Sequence, residues 1–210
     1  MLTFHCSSST ICASLEWCKD VKATLQQIAE IKAGHPFRGS IAESREGNGY
    51  VIQLRDVDRD AQINWQALVR ADISGRKQPD WLKRGNIIFS ARGSRNLASV
   101  VPDIDISVVC SPHFFIIDLK DREDVLPEFI AWQLNQTQLQ KYFQQSAEGS
   151  VHVSIRKAVL EQAQIVIPPI EKQMIIVELV SRVLKEKKSL EKLIELRRLE
   201  TDAVAKDILK

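Results

Sequence analysis

The stretch Pro168-Pro169-Ile170-Glu171-Lys172-Gln173 opens a run of about forty residues, 170–210, that contains neither Gly nor Pro. Proline ends a strand and is well tolerated where a helix begins, so this stretch predicts one long C-terminal helix. Such a helix far exceeds the average of roughly 11–12 residues in globular domains. Its apolar side chains must be buried away from water, and the helix is therefore predicted to join the chain to another molecule.

The apolar residues of this helix recur at the spacing of a helix–helix seam. Five of them occupy a and d positions of a heptad pattern, which the charged residues Glu186 and Arg197 interrupt. A helix packed on its own domain produces a similar stripe, but a buried unpaired charge is costly, so the interruptions favour a seam between helices. The five residues are Ile176, Leu179, Val183, Leu190 and Leu193.

The composition describes an ordinary soluble protein with room for one core and an appendage. Among the 210 residues, 27% are charged and 44% hydrophobic, and the net charge of +2 gives no global argument for nucleic-acid binding. Basic residues are concentrated from Arg70 to Arg95 and acidic residues from Val101 to Ile130. This segregation indicates one basic face, although ordinary solvated surface explains the same runs.

The cysteines and the N-terminus indicate a cytoplasmic protein. Met1–Cys12 lacks the basic residues and the long apolar core of a signal peptide. The cysteines have neither zinc spacing nor the pattern of a disulfide framework, so reduced thiols are expected. No stretch approaches the roughly eighteen apolar residues that a membrane span requires. The four cysteines are Cys6, Cys12, Cys18 and Cys110.

The rest of the chain predicts an α+β fold in which residues 20–168 form a domain and residues 169–210 the long helix. Residues 1–19 are interpreted as an N-terminal extension that is either disordered or upstream of an alternative start. Apolar spacing and turn residues mark the candidate elements. These are helices over Val21–Ile31 and Pro127–Gln145, and strands over Tyr50–Val57, Asn86–Ala91, Ile106–Leu119 (broken at Ser111-Pro112), Gly149–Ile155 and Ala163–Ile167.

Three loops carry side chains suited to phosphates or base edges. Arginine forms paired hydrogen bonds with phosphate and, in the major groove, with guanine. A strand end followed by a polar turn is common in proteins, so each loop alone is a weak signal. The residues expected to face DNA are Arg92, Ser94 and Arg95 in the first loop, Arg38 and Ser40 in the second, and Ser150 and His152 in the third.

A small magnesium-dependent nuclease is the enzymatic alternative. Asp103 and, fifteen residues later, Asp118 with Lys120 supply the carboxylates and the lysine that such an enzyme uses. The pattern is short and lies in the acidic stretch. No glycine-rich phosphate loop or nucleophile elbow accompanies it, so the sequence predicts no catalytic residue, no metal ligand and no bound cofactor.

Five motifs in order resemble the DNA-specificity subunit of type I restriction–modification systems. The resemblance extends over residues 20–205, and the order of the motifs makes it specific. Asn86 stands where Asp is usual in the family, and Lys172 where Glu is common. The motifs are Gly34–Gly39, Tyr50–Asp56, Leu82–Gly93, Trp132–Gln136 with Glu148–Ser150, and Ile167–Ile176.

The resemblance implies a non-catalytic subunit that reads double-stranded DNA and positions a methyltransferase subunit and a restriction motor subunit on it. S-adenosylmethionine and ATP are then expected on those partners and not on this chain. The family's full-length subunit has two recognition domains and two antiparallel helices, whereas this chain has one of each. We therefore expect a half-subunit that forms a homodimer through the C-terminal helix and reads two inverted half-sites. A coiled-coil adaptor without a nucleic-acid role is the remaining alternative.

Overall fold

The computed structural model describes residues 20–37, 39–74, 78–93, 95–146 and 154–209. A sheet-rich domain is followed by one long helix, which confirms the predicted α+β class. The strands are β1 (Val21–Thr24), β2 (Ala29–Ala33), β3 (Gly49–Ile52), β4 (Val69–Ala71), β5 (Ile87–Ser90), β6 (Ala98–Val100), β7 (Val108–Cys110), β8 (Phe114–Leu119) and β9 (Gln164–Ile167). The helices are α1 (Leu25–Ile28), α2 (Pro127–Leu134), α3 (Thr137–Ser146), α4 (Lys157–Glu161) and α5 (Ile170–Ile208).

The strands of the described residues form three sheets. A four-stranded antiparallel sheet has the order β2-β8-β5-β6, and a three-stranded sheet has the order β4-β3-β7. Strands β3 and β7 are parallel, so both of their C-terminal ends lie at the same edge. Strands β1 and β9 form a separate antiparallel pair that brings the start of the domain to its end.

Both faces of the four-stranded sheet are covered, which explains why every residue of β5 is buried. Phe89 and Ile117 point into one core, where they pack with Phe143 of α3 and with residues of α2 and β9. The alternate residues Ile88 and Ile116 point into a second core against the three-stranded sheet. The domain therefore has apolar layers on both sides of one central sheet.

The predicted helix over Val21–Ile31 is wrong. Its apolar residues are spaced for a helix, but the chain forms β1, the single turn α1 and then β2. Strand β1 pairs with β9, from Val21 opposite Ile167 to Thr24 opposite Gln164. These partners are more than a hundred residues away, so local spacing is overridden by tertiary pairing.

The predicted helix over Pro127–Gln145 is divided into α2 and α3 at Asn135-Gln136. The Asn135 side chain explains the break. Its Oδ1 accepts from the Ala98 amide at 2.8 Å, and its Nδ2 donates to the Ala98 carbonyl at 2.8 Å. Asn135 thereby provides hydrogen-bond partners for the Ala98 backbone at the outer edge of β6, which pairs with no other strand in the described sheet.

Helix α5 has the predicted position and length, since it begins directly after the two prolines and comprises 39 residues. At about 1.5 Å per residue it is roughly 58 Å long. Gln173 in its first turn is fully buried, and its amide bonds to the Leu126 amide and to the carbonyls of Asp124 and Pro168 at 2.8–3.0 Å. No helix of the described residues is long and apolar enough to cross a membrane.

Candidate nucleic-acid interface

One edge of the four-stranded sheet brings together several chain segments. Strands β2 and β5 end there and β8 begins there, because Ala33 lies opposite Phe115 and Ser90 lies opposite Phe114. The parallel strands β3 and β7 also end at this edge, since the Ser111 amide donates to the Ile52 carbonyl at 2.9 Å. The segments that follow these strands therefore meet around the turn that joins β7 to β8.

Backbone hydrogen bonds tie these segments together. On one side of the turn, the amides of Gly34 and His35 donate to the carbonyls of Phe114 and Cys110 at 2.9 and 2.8 Å. On the other side, the Ala91 amide donates to the His113 carbonyl at 2.8 Å. The Ile155 amide then donates to the Ala91 carbonyl, also at 2.8 Å. We name this surface the loop edge, which comprises the described residues of 34–40, 53–57, 91–97, 111–113 and 154–156.

The loop between β5 and β6 is held from below by a buried serine. Ser90 Oγ donates to the Arg95 carbonyl at 2.8 Å and accepts from the Leu97 amide at 2.7 Å. Buried Asn96 returns a hydrogen bond to the Ser90 carbonyl at 2.8 Å. A polar side chain that closes a loop in this way fixes the loop's backbone. The arginines of the loop therefore extend from a rigid base.

Arg92 and Arg95, both predicted to face DNA, are exposed on this loop. Arg92 also forms an antiparallel β-bridge with Ser154. Gly93 follows with a φ of 110°, a backbone conformation that disfavours residues with a Cβ. The turn thus places the two guanidinium groups on either side of a glycine.

Gly34 is required by a close approach of two backbones. A Cβ at this position would lie 2.2 Å from the Ser111 carbonyl oxygen, a separation that real side chains do not tolerate. Buried His35 follows, and its ring contacts Phe37 edge-on with a centroid separation of 4.8 Å. This first part of the Gly34–Gly39 motif therefore serves to anchor the loop that carries exposed Ser40.

The 3₁₀ turn Leu54–Asp56 was not predicted as part of the site. Its Leu54 side chain lies beside Gly93, 3.6 Å from where a Cβ of that glycine would be. Exposed Arg55 contacts the carboxylate of Asp56 at 3.8 Å. Burial raises the pKa of Asp56, while the Gln53 amide and Arg55 oppose that increase. The sequence predicted Arg55 inside a strand over Tyr50–Val57, whereas β3 ends at Ile52 and the 3₁₀ turn follows it. The motif Tyr50–Asp56 was the sequence signal that could have found this turn.

The other predicted DNA-facing residues, Arg38, Ser94, Ser150 and His152, lie outside the described residues. The DNA-facing role of Ser40, Arg92 and Arg95 stays a prediction. The basic run from Arg70 to Arg95 does not form one face. Arg84 precedes β5 and contacts Asp103 at 3.7 Å, whereas Arg92 follows the same strand at its other end.

The residues of the nuclease alternative have separate partners. Asp118 pairs with Arg122 at 2.5 Å, and Lys120 Nζ donates to the carbonyls of Gln26 and Gln27 at 2.8 and 3.1 Å. Asp103 contacts Arg84. Within the described ranges, no group of three or more His, Cys, Asp or Glu residues is arranged to hold a metal ion. Asp118 and Lys120 therefore hold neighbouring parts of the chain, and Asp103 belongs to an exposed ion pair.

The predicted seam residues of α5 differ in their surroundings. Ile176 packs against the core of its own domain, as a helix with an intramolecular partner would. Leu179, Val183, Leu190 and Leu193 are each more than half exposed. Four of the five residues are therefore available to another molecule.

Three solved structures share this fold at low sequence identity. The type I restriction–modification S subunit from M. genitalium has a TM-score of 0.58 and 16% identity, over 86% of this chain and 43% of that one. A structure solved to explain complex assembly and conformational transition of the type I R-M system has a TM-score of 0.61 and 19% identity. The match covers 86% of this chain and 43% of that one. The HsdS subunit from Thermoanaerobacter tengcongensis has a TM-score of 0.59 and 15% identity, over 82% and 39%.

The chain thus spans less than half the length of these structures. No curated protein matches it significantly. Its sequence matches the family described as "Type I restriction modification DNA specificity domain" over residues 19–200. This is a family of non-catalytic DNA-specificity domains, which confirms the prediction that the chain is not an enzyme. The chain belongs to the type I restriction–modification DNA specificity domain family.

Proposed function

We propose that the loop edge binds double-stranded DNA and that each chain reads one half of a two-part target. The observation that carries this proposal is the convergence of separate loops around the β7–β8 turn, where backbone hydrogen bonds fix Gly34, Ala91 and Ile155. Membership of a DNA-specificity family supplies the ligand class. Exposed Arg92 and Arg95 supply donors that bind phosphates and guanine bases.

We also propose that α5 pairs with α5 of a second copy, which makes the two half-sites identical and inverted. Leu179, Val183 and Leu190 form an exposed stripe at heptad spacing, which is the pattern of a helix–helix seam. A two-fold axis is the commonest way to close a pair of identical chains. The length of α5, roughly 58 Å at about 1.5 Å per residue, then sets the separation of the half-sites.

The partners that we propose are a methyltransferase subunit and a restriction motor subunit, which the chain positions on DNA in the cytoplasm. One of the solved structures of similar fold concerns complex assembly of the type I R-M system, and this supports partners of this kind. S-adenosylmethionine and ATP are expected on those subunits, because methyl transfer and translocation are their reactions. This chain contributes recognition and geometry.

Selection of bound duplexes from a random DNA pool tests the recognition proposal. The full chain is expected to enrich two identical inverted half-sites at a fixed separation. Arg92→Ala and Arg95→Ala should each weaken binding to the selected duplex by about 1–3 kcal/mol if the side chain reads a base. Arg84→Ala is the matched control, because Arg84 is an exposed arginine at the opposite end of β5.

The outcomes separate the alternatives. If a variant loses its base preference at one position of the target, the arginine reads that base. If a variant binds all sequences more weakly by the same factor, the arginine contacts the DNA backbone. A chain that enriches no sequence and binds no duplex at low salt contradicts the proposal. The coiled-coil adaptor without a nucleic-acid role would then remain.

A further inference from the structure

A groove lies between α5 and the domain. Its volume is about 910 Å³, and its walls come from α5 on one side and from α2, β6 and the 59–65 segment on the other. Apolar side chains form much of the lining, among them Trp65, Trp132, Val180 and Leu184. The helix does not fill the groove, because Val180 and Leu184 are only half buried.

Four cations line this groove, two on each wall. Arg59 and Arg95 belong to the domain, and Lys185 and Lys188 belong to α5. None of these four takes part in an ion pair among the described residues. The acids of the lining are Asp60 and Glu128, and Asp60 is already paired with Lys187. The groove is therefore positively charged.

The cations on α5 form a row. Residues 185, 188 and 192 are separated by three and four positions, so Lys192 lies on the same face of the helix as Lys185 and Lys188 and extends the row beyond the groove. At about 1.5 Å per residue the row is roughly 10 Å long. This length corresponds to about three steps along one DNA strand at 3.4 Å each.

We propose that this cationic groove is a second DNA-binding surface, which contacts the phosphate backbone beside the half-site without reading its sequence. The inference rests on the proposed function and deepens it. Arg95 belongs to both surfaces, so the groove continues from the loop edge. A ligand that passes from the loop edge onto α5 must be long and negatively charged, as duplex DNA is. The lysines would act as point charges on phosphates.

The double variant Lys185→Gln/Lys188→Gln tests this inference in the full chain. Its affinity for the selected duplex and for a random duplex should fall by the same factor. The slope of log affinity against log salt should decrease by about 0.9 for each lost phosphate contact, or about 2 in all. The control is Lys22→Gln/Lys172→Gln, which removes the same charge from exposed lysines outside the groove and should leave both affinities unchanged.

Three results would overturn the inference. If the lysine variant keeps the parental affinity and salt slope while Arg92→Ala weakens binding, the groove does not contact DNA and the proposed function stands. If DNA affinity is unchanged but a methyltransferase subunit no longer co-purifies, the groove binds an acidic protein surface. If the parent chain binds no duplex, the proposed function and the inference both fail. Equal melting temperatures of parent and variant exclude unfolding as the cause of any loss.

Discussion

The two halves of α5 have the same apolar pattern, but only the proximal half has a face that packs on the domain. In the proximal half, residues 170–188, Gln173 is fully buried and Leu184 is half buried. In the distal half, residues 189–208, every described side chain is exposed, including Leu190, which is 54% exposed, and Leu193, which is 52% exposed. The domain covers one face of the proximal half and leaves Leu179 and Val183 on its other face exposed, whereas the distal half has no cover among the described residues.

This difference indicates where a partner must act. An exposed row of large apolar side chains is typical of an interaction site, because burial of such a row against a partner lowers the free energy of the system. The proximal half needs no partner to stay in place, since the Gln173 amide already bonds to Asp124 and Leu126. The distal half can be stabilised by a partner molecule.

The largest expected effect is that of Leu190→Glu/Leu193→Glu on self-association. Each leucine would bury apolar surface worth about 1.5–3 kcal/mol at a seam, so the dissociation constant should rise by at least about a hundredfold. Ser189→Glu, which adds a charge beside the stripe, should leave the mass of the dimer unchanged. Sedimentation equilibrium measures both. A parent chain that is monomeric at high micromolar concentration contradicts the α5 pairing.

Gln173→Ala should produce the next largest effect, because it removes the buried anchor of the proximal half. The Leu126 amide and the Asp124 carbonyl lose their partners, which should lower the free energy of unfolding by about 2 kcal/mol. Urea denaturation measures the change. Met174→Ala, at the neighbouring exposed position, is the control and should have little effect. Equal stability of the two variants would show that the anchor lies elsewhere.

Alkylation of Cys110 gives a smaller effect that separates the two halves. Burial raises the pKa of the Cys110 thiol to about 12, so only about one thiol in ten thousand is ionised at pH 8. Iodoacetamide should therefore leave Cys110 unmodified in the folded chain, as mass spectrometry of its peptide would show. Gln173→Ala should increase this modification through unfolding, whereas Leu190→Glu/Leu193→Glu should not. Rapid modification of the parent chain would contradict the burial of Cys110.

The smallest effect is expected for Lys187→Gln, which removes the contact between α5 and Asp60. Hydrogen bonding to Asp60 raises the pKa of Lys187, so the lysine stays protonated at neutral pH. Exposed pairs of this kind contribute little to stability. The urea midpoint should match that of the parent within error. If Lys187→Gln lowers the free energy of unfolding as much as Gln173→Ala does, the contact that mainly holds α5 on the domain lies at Lys187.

Local sequence signals predicted the elements that depend on nearby residues. The two prolines predicted the start of α5, and the run before Gly93 predicted β5 and its loop. The helix predicted over Val21–Ile31 failed because β1 has its partner at the other end of the domain. Helical spacing alone does not exclude two short strands joined by a single turn.

The candidate site was predicted in part. Arg92 and Arg95 were found because a strand followed by an arginine-rich turn can be read from neighbouring residues. Arg55 was missed because the turn that carries it is placed through its neighbour Leu54, which lies beside Gly93, and that contact depends on the parallel pairing of β3 with β7. Ser90 was missed as the support of the loop, because its hydrogen bonds to Arg95 and Leu97 require the hairpin to be formed.

The sequence by itself determined that the chain ends in a long helix with a heptad stripe and that its arginines follow strand ends. Helical hydrogen bonds join residues four apart, so this information is local. The tertiary structure alone decided which face of α5 packs on the domain and which loops meet at the loop edge. Burial and strand pairing join residues that are distant along the chain, such as Ala91 and Ile155, and no short pattern specifies them.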